Sequence, residues 1–197
     1  MPEAIIILSG KRKSGKDFIA VALKNVIGND KCGIIRLSAP LKRQYAHENG
    51  LDFAKLLSSN AYKELYREDM IKWGEDKRNS DPGYFCSISV QEDNDQEIWI
   101  VSDARRLTDI TYFETNFPNC KILLVRINAS KAIRKVRGWV YTSGIDDQES
   151  ECGLDKNVKW DYIIENNDNC CSMYSDDTIL AIKEDLYELF TNEGSNS

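Results

Sequence analysis

The chain has 197 residues, 58 of them charged and only 15 glycine or proline, the profile of an ordinary globular domain that buries a core without disulfides or a structural metal. Its longest apolar run, Ala4 to Leu8, is too short for a membrane span or a secretory leader, and six cysteines with no CxxC pair beside a lone histidine argue against a zinc centre. The formal net charge of −6 argues against a dedicated nucleic-acid binder, but it averages a gradient: residues 1–50 carry +5, residues 51–143 carry 0 and residues 144–197 carry −11. A basic start on an acidic protein suits a small anionic ligand held locally.

Taken in chain order, residues 4–9 (AIIILS) read as a strand buried on both faces, followed by a glycine loop and a helix over Asp17–Val26 that stops at Gly28. Residues 34–38 read as a second strand. The stretch Leu41–Trp73 reads as two or three helices, broken near Asn49-Gly50 and Ser58-Ser59-Asn60. Tyr84–Val90 is ambiguous between helix and strand, and Glu92–Gln96 reads as an acidic loop. Strands are expected at Ile98–Ser102, Lys121–Ile127 and Trp160–Ile164. Helices are expected at Asp109–Asn116, 129–137 and Thr178–Phe190, the last with Ile179, Ile182, Leu186, Leu189 and Phe190 on one stripe. Residues 191–197 read as a frayed tail. The alternation predicts an α/β three-layer sandwich, a single domain around a mostly parallel five-stranded sheet with a basic lid segment over about 128–150. Ligands of such sheets gather at the carboxyl ends of the strands, which singles out Gly10–Asp17, Ser102–Arg106 and Glu165–Asn167.

Gly10-Lys11-Arg12-Lys13-Ser14-Gly15-Lys16-Asp17 fits GxxxxGK between a strand and a helix, the context a phosphate-binding loop requires. The glycines let backbone N–H groups converge on phosphate oxygens, the helix N-terminus adds its dipole and Lys16 adds a full charge. Asp17 stands where Ser or Thr usually meets magnesium. It reads either as a carboxylate that positions Mg2+ or Lys16, or as a plain helix cap. Asp103, after the third strand, is a second candidate for a magnesium-bound water in the manner of a Walker B acid, and Arg105 and Arg106 beside it could grip an acceptor phosphate. In the cluster Arg126, Lys131, Arg134, Lys135 and Arg137, two arginines three apart share a helical face before Gly138. They read as a lid over a transferring phosphoryl group or as a solvated basic helix. His47 falls on a helix remote in sequence from these groups. The absence of NKxD disfavours a GTPase. Together the parts imply phosphoryl transfer from a nucleoside triphosphate. A phosphate acceptor, already largely dianionic at neutral pH, would need arginines more than a base.

Seven segments carry a more specific resemblance: SGKRKSGKDF at Ser9–Phe18, RLSAPLK at Arg36–Lys42, YKELYREDMIKWGEDKR at Tyr62–Arg78, DPGYFC at Asp81–Cys86, VSDARR at Val101–Arg106, RGWVY at Arg137–Tyr141 and DDQESECGLD at Asp146–Asp155. Together they resemble the animal-type phosphomevalonate kinases, from the first strand to Asn166. The resemblance implies a nucleoside-monophosphate-kinase-like P-loop fold and an ATP- and Mg2+-dependent enzyme that makes 5-diphosphomevalonate from 5-phosphomevalonate in isoprenoid and sterol biosynthesis. It implies ATP contacts from Lys11, Arg12, Lys13, Ser14, Gly15, Lys16, Asp17 and Arg137. It associates Lys16, Asp17, Arg12, Arg105, Arg106 and Arg134 with catalysis, and Arg78, Arg105, Arg106 and Asn166 with substrate. Asp17 at the last loop position is that family's own pattern. The expected partner is a small molecule, with no nucleic acid and no membrane, for a cytosolic monomer; Ser195-Asn196-Ser197 is not a peroxisomal tripeptide. Alternatives are a nucleoside or nucleotide monophosphate kinase on the same scaffold and a nucleotide-binding module without catalysis.

Overall fold

Ala4–Ser9 forms the first strand (β1) of a computed structural model that describes residues 1–58, 60–91, 95–167 and 176–192, with side chains left aside at 58, 60 and 189–192. The other strands are β2 (Cys32–Ile35), β3 (Ile98–Val101), β4 (Lys121–Asn128) and β5 (Tyr162–Glu165). They make one sheet in the order β2-β3-β1-β4-β5, with every pairing parallel, so the expected mostly parallel sheet is wholly so. β1 is central and every residue of it is buried, as its unbroken apolar run requires. Its odd and even positions feed different layers: Ala4, Ile6 and Leu8 pack with α1 (Lys16–Ile27) and α10 (Asp177–Asn192), while Ile5 and Ile7 pack toward α6 (Tyr84–Gln91) and α7 (Leu107–Asn116). Each fully buried isoleucine is worth about 1.5–3 kcal/mol, so this strand anchors both layers. The three-layer expectation holds.

Ile179, Ile182 and Leu186 of the predicted stripe are buried against the sheet, while the side chains of Leu189 and Phe190 and the backbone of 193–197 lie outside the described residues. Glu92, Asp93 and Asn94 of the acidic loop, Ser59, and Cys170-Cys171 also lie outside them.

The connection from β2 to β3 is where the sequence reading needed most correction. The second strand spans 32–35, not 34–38, because Ser38 already opens α2 (Ser38–Glu48). Four helices follow where two or three were expected: α2, α3 (Phe53–Ser58), α4 (Asn60–Leu65) and α5 (Arg67–Ser80), the last running past Trp73. The additional break falls at Tyr66. These helices build their own core of Tyr45, Ala46, Leu56 and Met70, with Trp73 edge-on to Tyr45 at 5.8 Å. Tyr84–Gln91 resolves as helix, because its buried residues Phe85, Cys86 and Ser89 follow helical spacing. The expected 129–137 helix is α8 (Lys131–Val136), and a short α9 (Glu149–Cys152) was not foreseen. Among the described residues no helix is long and apolar enough to cross a membrane.

Candidate active site

The carboxyl end of β1 delivers Gly10–Lys16 to the amino end of α1. Two glycines are dictated by geometry: a Cβ at Gly10 would lie 2.4 Å from the Ile127 carbonyl oxygen, and Gly15, at φ +95°, would push one to 2.2 Å from Asn166 Nδ2. The Lys16 ammonium donates to the carbonyl oxygens of Gly10 at 2.5 Å and Lys11 at 3.3 Å. Burial and the neighbouring Arg105 lower its pKa to about 8. Ser14 is buried and its hydroxyl has no hydrogen-bond partner among the described residues. The N-cap of α1 is Gly15, and Asp17 is the acidic residue of its first turn, where a negative charge also suits the helix dipole. Its carboxylate lies largely in solvent, 3.5 Å from Arg36 Nε, at the cleft.

Above the loop a cavity of about 980 Å3 is lined by Arg12, Lys13, Gly15, Lys16, Asp17 and Arg137 on one side and by Arg36, Lys42, Lys63 and Arg67 on the other. Next to it a second cavity of about 110 Å3 has an apolar wall of Leu37, Leu41, Met70, Ile71 and Ile145, with Arg78, Arg105 and Arg106 at its margin. Ser38, Lys42, Lys63, Arg67, Asp103 and Arg105 border both. The two spaces therefore adjoin at a boundary that includes four cations, Lys42, Lys63, Arg67 and Arg105. Burial, then the like charge of Lys63, lowers the pKa of Lys42; burial and Arg67 do the same to Lys63. Such a boundary favours an anion that restores the balance.

The turn after β3 is held by two buried acids. Asp103 accepts from the backbone N–H groups of Leu37 (2.7 Å) and Ser38 (3.0 Å), one on each oxygen. Asp103 thus fastens α2 through amides 2.7–3.0 Å away, one on each oxygen, and each oxygen keeps a second lone pair, so the Walker B-like contact through a magnesium-bound water stays compatible with this geometry. Asp109 accepts from the backbone N–H groups of Arg105 (2.9 Å) and Arg106 (3.1 Å) and stands 3.7 Å from Arg78 Nη2. Arg106 is ion-paired with Glu75. Arg78 lies over the Phe85 ring at 4.6 Å, buried, with its Nε unpaired.

The basic stretch expected as a lid lies against the phosphate loop. Arg134 donates to the Arg12 carbonyl oxygen at 2.7 Å and stacks over Trp139 at 4.1 Å, so it is not the solvated basic residue of the alternative reading. Arg137 donates to the Ser14 carbonyl oxygen at 3.1 Å and to Asn166 Oδ1 at 3.2 Å. The Arg12 guanidinium meets Asp146 at 3.2 Å. The Lys11 amine turns from the cleft to the Glu151 carbonyl oxygen (2.7 Å) and to Asp155, because α9 offers it acceptors. Asn166 lies behind the loop, buried, donating to the Ser14 carbonyl oxygen at 2.8 Å; here it supports the loop and borders neither cavity. Arg126, grouped by sequence with the lid, instead pairs with Asp155 at 2.6 Å, and Lys131 and Lys135 face solvent. His47 is exposed and borders neither cavity.

Sequence reasoning missed Arg36, Lys42, Lys63 and Arg67 as cleft residues, because Lys42, Lys63 and Arg67 come from three different helices, α2, α4 and α5, and meet only through their packing. It also missed Asp146 and Glu151, which gave no signal within an acidic run.

The sequence pattern of the family described as "Phosphomevalonate kinase" matches residues 8–119. A protein of Drosophila melanogaster named "Phosphomevalonate kinase" is 42% identical over 154 residues, which cover 77% of this chain and 81% of that one. Among solved structures, a gluconokinase from Sinorhizobium meliloti 1021 superposes with a TM-score of 0.54 at 12% identity, covering 95% of this chain and 97% of its own. TT1252 from Thermus thermophilus gives a TM-score of 0.51 at 15% identity, covering 96% and 99%. At these identities the two structures speak for the α/β kinase fold alone. The sequence relationships carry the assignment: the chain belongs to the phosphomevalonate kinase family.

Proposed function

We propose that this chain transfers the γ-phosphoryl group of ATP to (R)-5-phosphomevalonate, giving 5-diphosphomevalonate and ADP in the cytosol, on the route to isoprenoids and sterols. The observation that carries the reading is the junction of the two cavities. A phosphate loop opens onto a small, half-apolar pocket of about 110 Å3, with Lys42, Lys63, Arg67 and Arg105 bordering both spaces. Among the described residues lining that pocket there is no aromatic ring to stack on a base. A short, branched aliphatic phosphate suits it better than a nucleoside monophosphate.

In this reading the loop N–H groups and Lys16 hold the β and γ phosphates, with Arg12 and Arg137 beside them. Arg105, Lys63 and Arg67 hold the acceptor phosphate, and Arg78 and Arg106 meet the far, carboxylate end of the acceptor. The acceptor's terminal phosphate oxygen attacks the γ-phosphorus while the bond to the β–γ bridging oxygen breaks and ADP leaves. The acceptor is already ionised, so no general base is required, and the cations offset the repulsion between two anions. The donor set fits Mg2+: Asp17 offers an unburied carboxylate at the cleft with Arg36 as its ion-pair partner, and Asp103 borders the same space. Mg2+ would be held by Asp17, with Asp103 reaching it through water, and would neutralise phosphate charge. A coupled ADP-release assay comparing 5-phosphomevalonate with a panel of nucleoside monophosphates tests the reading. Turnover with 5-phosphomevalonate is the expected result; preference for a nucleoside monophosphate overturns it.

A further inference from the structure

We propose that Glu151, in the short helix α9, is a positioning residue that locks the donor and acceptor halves of the site into one rigid unit. The proposal rests on the assignment of Arg105 to the acceptor phosphate. The Glu151 side chain is almost wholly buried, 3% exposed, and its two oxygens serve different masters. One accepts from Arg105 Nη1 at 2.5 Å; the other accepts from the backbone N–H of Arg12 in the phosphate loop at 2.9 Å. The same helix turn reinforces both ends. The Ser150 carbonyl oxygen accepts from Arg105 Nη1 at 3.1 Å, and the Glu151 carbonyl oxygen accepts from the Lys11 amine at 2.7 Å.

The other acids beside Arg105 are committed elsewhere. Asp103 is occupied by the amides of Leu37 and Ser38, and Asp109 by the backbone N–H groups of Arg105 and Arg106. Among the described residues, Glu151 is therefore the carboxylate that orients the Arg105 guanidinium. An arginine side chain is rich in rotamers, and a partner that fixes it before substrate arrives spares the transition state that loss. In-line transfer also tolerates little misplacement, since a shift of about 1 Å can lower a rate about 10²-fold. One carboxylate that spans the loop and the acceptor arginine sets the distance between the two phosphates directly.

The experiment measures kcat and acceptor KM in the coupled assay, the Kd of ADP by calorimetry, and Tm, for Glu151→Gln, Glu151→Asp, Arg105→Gln and the Glu151→Gln/Arg105→Gln double variant. Glu151→Gln is expected to lower kcat/KM for 5-phosphomevalonate about 10-fold or more while the ADP Kd stays within about 2-fold, because the remaining loop amides and Lys16 still hold the nucleotide. Glu151→Asp, charged but one methylene shorter, should recover part of the loss. In the Arg105→Gln background, adding Glu151→Gln should cost less than about 2-fold more, as expected of two groups that act through one another. Equal losses in acceptor and ADP binding that track Tm would make Glu151 a structural staple and overturn the proposal. So would wild-type acceptor kinetics in Glu151→Gln when Arg105→Gln is impaired. If Arg105→Gln itself is unimpaired, the acceptor assignment falls and takes the proposal with it. Should Glu151→Gln not fold, Glu151→Asp decides: acceptor kinetics indistinguishable from wild type would overturn the proposal.

Discussion

Lys16 is held by its own loop, with its amine on the carbonyl oxygens of Gly10 and Lys11 and its pKa lowered to about 8 by burial and Arg105. A phosphate oxygen at that amine reverses the balance, because an adjacent anion favours the charged form. Only the protonated amine gains from the phosphate, so ATP binding should draw up protons as pH rises through about 8. Calorimetry in buffers of different ionisation enthalpy near pH 8.5 should register that uptake, and kcat/KM for ATP should fall on the alkaline side. Lys16→Met should reduce kcat by at least ~10²-fold with Tm nearly unchanged, since the charge is needed most in the transition state. A normal kcat would remove Lys16 from the reaction. Gly15→Ala should abolish ADP binding in the same calorimeter, because the left-handed backbone and the 2.2 Å approach to Asn166 leave no room for a methyl group. These loop residues were legible in the sequence because GxxxxGK between strand and helix is a local pattern. Glu151 and Asp146 were not, because their roles arise from contacts more than 130 residues away in the chain.

At the scale of elements, the two acids behind the Asp103–Arg106 turn do different work. Asp103 fastens the start of α2 to the end of β3, and Asp109 caps α7 and faces buried Arg78. Asp109→Asn removes a fully buried charge and leaves Arg78 uncompensated, a loss on the order of 3–5 kcal/mol. For a chain of this length, about 2–4 °C per kcal/mol translates that into a fall in Tm of roughly 10 °C, measurable by calorimetry. A fall below about 3 °C would place the balancing charge elsewhere. All five strands were readable from their short apolar runs, with β2 starting two residues earlier and ending three earlier than expected and β5 starting two residues later. The α2–α5 helices were less legible, since their small core of Tyr45, Ala46, Leu56 and Met70 is completed by partly buried aromatic residues such as Tyr62, Tyr66 and Trp73, which blur the apolar stripe.

Viewed as a whole molecule, the net charge of −6 conceals a cleft crowded with cations and a surface that is acidic toward the C-terminal end. Crowded cations repel one another, so anions that bind among them should do so tightly and stabilise the fold. Tm should rise with ADP, rise with 5-phosphomevalonate, and rise further with both, each increment shrinking between about 0.05 and 0.5 M salt as screening lengths contract. Increments insensitive to salt would contradict the electrostatic account.

The position of β1 carries a consequence for how the chain reaches this state. Ala4 pairs with Ile98 on one side and Lys121 on the other, so the strand that presents the phosphate loop finds its neighbours only after more than half the polypeptide exists. Loop closure over such separations is slow compared with the local collapse of the α2–α5 helices. During synthesis the helical unit between β2 and β3 can form first, while the nucleotide-binding edge waits for β4. The segment with the most recognisable sequence in the molecule is thus among the last to acquire its shape.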